Sequence, residues 1–184
     1  MAEKQKNTAP ERILEYDLST ELNHGIVVSN LAYEVAKEMG LGGHLCYELA
    51  IAGILHDIGK LRLTGYINGG EVDPLVIEEL KYVRMHSTLG YEALKGQGYS
   101  DFVLESILYH HENYDGSGYP SNLQGEEIPI GARILRVCDV FSALTMNRPY
   151  REAFDVETAI ELMIEEIKNF DMRVFLAFQR VVHS

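Results

Sequence analysis

Several apolar stripes in this chain run at helical spacing and carry a histidine at one end, and this arrangement constrains the fold more than any other feature. His24, Val28, Leu31 and Val35 step by +4, +3 and +4, the spacing of one α-helical face. Leu45, Leu49, Ala52 and His56 repeat the stepping. Val103, Ile107 and His110 run beside Leu104, Leu108 and His111, so two neighbouring stripes of one helix both finish on imidazole. Ala132, Leu135, Asp139 and Ser142 form a further face with a carboxylate in it. Stripes of this kind pack against one another to leave water, and their polar ends then converge. With almost no alternating apolar and polar runs beside them, they predict an all-α bundle.

Breakers and caps divide the bundle. Gly40, Gly42 and Gly43 end the first helix, and Gly59 closes the second. Residues 61–73 hold three glycines without a period and read as a loop. Asp73–Pro74 is an N-cap and first-turn pair for a helix reaching about His86, with another from Ser87 to about Lys95. Ser100 or Asp101 caps the next helix, residues 113–129 are turn-rich loop, and a long helix runs from about Ile130 to Met146. Asp155 starts another helix and Asp171 caps the last. Residues 1–10 read as a flexible leader and 11–184 as a single domain, with Ile160, Met163, Ile164 and Ile167 as core.

Charge and cysteine usage exclude several classes. A net charge of −12 gives no general attraction for a polyanion, so DNA or RNA scaffolding is not expected. A phosphate-bearing ligand would need local cations. Cys46 and Cys138 lie in apolar helical stretches without disulfide or zinc-finger spacing, which fits reduced thiols in the cytoplasm. Met1 to Pro10 lacks the apolar core of a signal peptide, and no run is long enough to span a membrane.

Five of the seven histidines fall on or at the ends of inward faces. Any one alone reads as a hydrogen-bonded core residue. Together, and with Asp57 and Asp139 delivered by the same helices, they form the imidazole–carboxylate set of Fe, Mn or Zn. His24 and His56, Asp57 and His86, His86 and His110, and His111 and Asp139 are separated by whole helices, unlike the close-spaced pairs of a structural zinc site. Seven candidates exceed what one tetrahedral ion uses, and a two-metal site with ions about 3.5–4 Å apart fits the number. Asp57, next to His56, is the natural bridging carboxylate. His44 and His183 read as surface residues.

Three motifs carry a resemblance. His56-Asp57 with Gly59-Lys60 (HDIGK), His110-His111-Glu112 leading into Asp115-Gly116-Ser117-Gly118-Tyr119-Pro120 (HHENYDGSGYP), and Arg136 to Arg151 (RVCDVFSALTMNRPYR) resemble the HD-GYP family of the HD-domain phosphohydrolase superfamily, over roughly residues 20–180. The resemblance implies an HD-domain bundle of about seven to nine helices. It also implies a bacterial phosphodiesterase that converts cyclic di-GMP to pGpG, GMP or both with a metal-activated hydroxide. The seven residues above would be the metal ligands, holding two divalent ions, Fe or Mn first and Zn, Ni or Mg as further candidates. Asp57 and Lys60 would be catalytic, Lys60 also touching the scissile phosphate, and Arg148 and Arg151 would hold substrate phosphates. Tyr119 would line the substrate cleft or pack, and Gly116, Gly118 and Pro120 would shape its loop. Glu112 reads either as a carboxylate orienting a metal-bound histidine or as a solvated helix-end residue.

Three positions depart from the family pattern. Ser142 and Asn147 stand where aspartates are usual, and Thr20 stands where some members carry a third-metal glutamate, with Glu21 one step out of register. The 61–73 loop also diverges. The expected partners are the cyclic dinucleotide and a second copy or a regulatory protein, with no membrane. The alternatives are an HD-fold hydrolase of another cyclic dinucleotide or nucleotide, and a non-catalytic signalling module.

Overall fold

The computed structural model describes residues 18–61, 83–147 and 151–184. The expected leader, the loop after Leu61, most of the helix expected from Asp73 and the expected phosphate contact Arg148 lie outside those residues. Among the described residues there are seven α-helices and no sheet, as the stripes predict. They are α1 (Leu18–Glu38), α2 (Gly43–Leu55), α3 (His86–Leu94), α4 (Asp101–Tyr109), α5 (Ile130–Thr145), α6 (Val156–Glu165) and α7 (Met172–Val182).

The caps fall where side-chain chemistry places them. Ser100 accepts from the Val103 amide, Asp155 from Thr158, and Asp171 from Arg173, each satisfying a donor that a helix start leaves free. Buried Asp171 also takes a 2.6 Å ion pair from Arg133 of α5, tying the start of α7 to α5.

Helix α5 is the axis of the bundle: α1, α2, α4, α6 and α7 all pack on it. Around it, α1 pairs with α2 and α7, and α4 with α2 and α3. Val28, Val35, Leu49, Ile107, Ile134, Leu135 and Phe178 are fully buried, each side chain worth about 1.5–3 kcal/mol of transfer free energy. Cys46 and Cys138 are buried and unpaired. Ile164 departs from expectation at 48% exposed, whereas Ile160 and Met163 are buried. Among the described helices α6 packs mainly on α5. No helix among the described residues is long and apolar enough to cross a membrane.

This packing brings together the middle of α1, the end of α2, the start of α3, the end of α4 and the middle of α5. Gly59 permits the closest approach. A Cβ there would lie 1.9 Å from the His86 carbonyl oxygen, so only glycine lets the turn after α2 close onto the start of α3.

Candidate metal centre

Three imidazoles are fixed by one device. The Nδ1–H of His56 donates to the Gly53 carbonyl at 2.8 Å, that of His110 to Ile107 at 2.6 Å, and that of His86 to Val83. In each case the acceptor lies three residues back, so the backbone sets both tautomer and ring orientation. For His56 and His110 it is a last-turn carbonyl, of the kind a helix leaves short of donors. The Nε2 atoms of His86 and His110 are therefore lone-pair acceptors turned inward, and that of His56 is turned toward the carboxylates.

Those lone pairs face each other and the carboxylates. His86 Nε2 lies 3.3 Å from His110 Nε2, and His111 Nε2 lies 3.0 Å from His86 Nε2. His56 Nε2 is buried without a hydrogen-bond partner. Its nearest carboxylate oxygens are Asp57 Oδ2 at 3.2 Å and Asp139 Oδ1 at 3.7 Å. His24 is held at both nitrogens, by Ser142 Oγ at 3.0 Å and Asp139 Oδ1 at 2.9 Å.

Asp57 joins the two sides of the cluster. Its Oδ1 lies 3.2 Å from His86 Nε2, whereas its Oδ2 faces His56 and accepts from Lys60 Nζ at 2.6 Å. Lys60 gives a second bond, 3.0 Å long, to Glu21.

Electrostatics keeps the acceptors open. Burial pushes His110 well below the usual histidine range, lowers His86, and brings His111 down to about 3. Burial opposes ionisation of Asp57 and Asp139 as well, but His56 and Lys60 around the first and His24 and His56 around the second hold both well below the carboxylate range. Against burial, Asp57 and Asp139 in turn hold His56 well above the usual histidine range. The centre thus presents neutral imidazoles at His86, His110 and His111 beside ionised carboxylates, and a ligated cation would take the place of the His56 proton.

Three groups of possible ligands result: His86, His110 and His111; His24, His56 and Asp57; and His56, His110 and Asp139, with the ligating atoms of each group within 4.8 Å of one another. Every expected ligand is in this set. The residues fit a divalent ion on two counts: the opposed lone pairs of His86 and His110, and the ionised Asp57 oxygen 3.2 Å from the His86 Nε2 acceptor, both call for a cation.

The loop over the centre holds Tyr119, whose ring stacks on His111 at 4.8 Å with 24° between planes. Glu112 corrects both readings made of it. It is buried, and its carboxylate accepts the Ser121 amide at 2.6 Å and the Leu123 amide at 3.1 Å, so it binds the far side of its own loop. Gly118 must be glycine for the same closure, since a Cβ would lie 2.2 Å from the Asn113 nitrogen. Arg151 donates to the Leu144 and Ala143 carbonyls at the end of α5, at 3.0 and 2.7 Å. His44 and His183 are exposed.

Sequence reading gave no role to Arg84 or Arg136, and it noted Glu21 only as one step out of register with a third-metal position. Arg136 precedes Asp139 by one helical step of three on α5, a signal that was available. Nothing local marks Arg84, whose guanidinium lies 5.4 Å over the Tyr119 ring.

An all-α bundle that gathers histidines and aspartates from several helices into one cluster offers a ligand set that could hold a metal ion. Residues 8–174 match the HD domain family. The chain belongs to that family and is of its HD-GYP type. It is 37% identical over 163 residues to a cyclic di-GMP phosphodiesterase of Pseudomonas aeruginosa, covering 86% of this chain and 38% of that protein. It is 36% identical over 156 residues to a 3'3'-cGAMP-specific phosphodiesterase of Vibrio cholerae, covering 83% of this chain and 36% of the relative. A solved HD-GYP protein from Bdellovibrio bacteriovorus superposes with a TM-score of 0.71 at 19% identity, over 93% of this chain and 55% of the other. The chain thus spans about two fifths of the length of the curated relatives it matches.

Proposed function

We propose that this chain is the catalytic domain of a metal-dependent phosphodiesterase that hydrolyses a cyclic dinucleotide, cyclic di-GMP first, to pGpG, GMP or both. The carrying observation is the opposition of His86 and His110, two neutral imidazoles whose acceptor nitrogens meet at 3.3 Å. Such a contact is repulsive until a cation lies between or beside the lone pairs.

His24, His56, His86, His110, His111, Asp57 and Asp139 would hold two divalent ions, Fe or Mn, with Asp57 serving both because its two oxygens face different histidines. The chemistry supplied by divalent ions in such a site is a water acidic enough to attack near neutral pH, and neutralisation of phosphate oxygens. Lys60 places a permanent positive charge beside Asp57, where it stabilises charge developing on the phosphate. Tyr119, stacked on His111, offers a ring face and a hydroxyl to the substrate. Arg148 and Arg151 complete the proposal as phosphate contacts, Arg151 with the N–H groups that its helix-end bonds leave free.

Relatives named for cyclic di-GMP and for 3'3'-cGAMP stand at 37% and 36% identity, so identity does not separate the two bases. The deciding experiment measures turnover of cyclic di-GMP, 3'3'-cGAMP and bis(p-nitrophenyl) phosphate side by side with Fe(II) and Mn(II). The proposal expects cyclic di-GMP to give the largest kcat/KM. Absence of turnover of all three with either metal overturns it.

A further inference from the structure

We propose that Arg136, with Arg84 beside it at Tyr119, forms a phosphate-binding edge on the metal centre and engages a second phosphate of the substrate, the one not being cleaved. The identity of the substrate rests on the phosphodiesterase reading. The anion site rests on side-chain geometry.

Several cations among the described residues already have partners: Lys60 is shared between Asp57 and Glu21, Arg133 is paired with Asp171, and Arg151 is anchored through both Nη groups by helix-end carbonyls. Arg136 differs. Its Nε donates to the neutral amide oxygen of Asn113 at 3.0 Å, and its Nη groups make no hydrogen bond to the described residues, although the Asp139 carboxylate acts on its charge. Asn113 is itself fixed, because its own amide donates to Ser117 at 3.0 Å. The guanidinium is therefore anchored at one nitrogen, with its fork of outer donors held by none of the described residues.

Its position matches the role. Arg136 is one helical step before Asp139, and its charge is felt at His111 and Tyr119. Arg84, exposed, contributes a second guanidinium over the Tyr119 ring at 5.4 Å. Two guanidinium groups near one aromatic ring, in a chain of net charge −12, form a local cationic edge against an unfavourable global field, with Asp139 offsetting part of the Arg136 charge. A guanidinium fork matches two phosphate oxygens, and the ring between offers a stacking face for a base. Ions in the ligand cluster would take the phosphate under attack. A substrate with two phosphates then presents its other anion outside the ligand set, where this edge stands.

The test uses the intact chain and two readouts. The first is equilibrium binding of cyclic di-GMP in the presence of chelator, which prevents turnover. Arg136→Ala is expected to weaken binding about tenfold or more, Arg136→Lys less, and exposed Arg84→Ala about threefold. The second is kinetics with Mn(II). Arg136→Ala is expected to raise KM for cyclic di-GMP about tenfold, yet change kcat/KM for bis(p-nitrophenyl) phosphate, which has one phosphate, by less than about threefold. Equal losses on both substrates overturn the second-phosphate role. Wild-type binding that is undetectable, or that Arg136→Ala and Arg136→Lys leave unchanged, overturns the anion site. Failure of the wild type to hydrolyse either diester overturns the phosphodiesterase reading instead, and the binding comparison still decides on Arg136. Circular dichroism identifies a misfolded Arg136→Ala, in which case Arg136→Lys and Arg84→Ala carry the decision.

Discussion

His86 and His110 point their Nε2 atoms at each other across 3.3 Å, and each has its Nδ1 proton committed to a carbonyl three residues back. Neither ring has a proton left to place between them, and burial disfavours adding one. This contact costs free energy in the metal-free chain and is relieved by a ligated cation. Mn(II) at a thousandfold excess over its Kd is therefore expected to stabilise the fold by about 4 kcal/mol, seen as a rise in Tm. His86→Ala should lose most of that rise. An equal rise in wild type and variant would place the metal elsewhere.

Asp57 and Lys60 separate by function. Asp57→Ala removes the carboxylate that faces both sides of the cluster and should abolish metal binding and turnover while leaving the helical circular dichroism. Lys60→Ala should keep the metal content and lower kcat by a factor on the order of 10²–10³, as loss of one electrostatic donor does. Loss of metal from Lys60→Ala would show that the ammonium holds Asp57 in place instead.

Metal uptake should release protons. Burial opposes the imidazolium of His56 in the metal-free chain, but Asp57 and Asp139 outweigh it and raise its pKa well above the usual histidine range. An incoming cation displaces that proton, so affinity should rise with pH, by about tenfold per unit while one proton is exchanged. The stability linkage has the matching sign. The protonated His56 contributes fully below the unfolded histidine pKa, and its contribution is lost as pH rises through the raised value. Calorimetry of Mn(II) binding in two buffers of different ionisation enthalpy measures the release; equal heats in both buffers would contradict it.

Glu112→Ala should strip the Ser121 and Leu123 amides of their buried acceptor and destabilise the fold by about 1–3 kcal/mol. The loss should appear as a lower Tm and a higher KM with metal content intact, because Glu112 holds the Tyr119 loop and touches no ligand. A fall in bound metal would return Glu112 to the role of orienting a histidine.

The clustering of histidines and aspartates was legible because it follows helical periodicity: His24, His56, His110 and Asp139 lie on the apolar faces that packing must bring together. The caps Ser100, Asp155 and Asp171 were legible for a local reason, since each accepts from an amide two or three residues on. Glu21 was not, because its partner Lys60 is 39 residues away and no pattern links the two. Glu112 misled because its acceptor role is fulfilled by backbone amides, which leave no mark on side-chain identity. Ser142 was marked as a departure near the centre, but only the packed structure shows its hydroxyl against His24.

The most direct measurement of the central claim is the metal content of the intact chain after anaerobic purification, determined by inductively coupled plasma mass spectrometry. The account predicts about two Fe or Mn ions per chain, falling below one in His86→Ala and Asp57→Ala. Fewer than one transition-metal ion per chain in the wild type, with none taken up from Fe(II) or Mn(II), would contradict it.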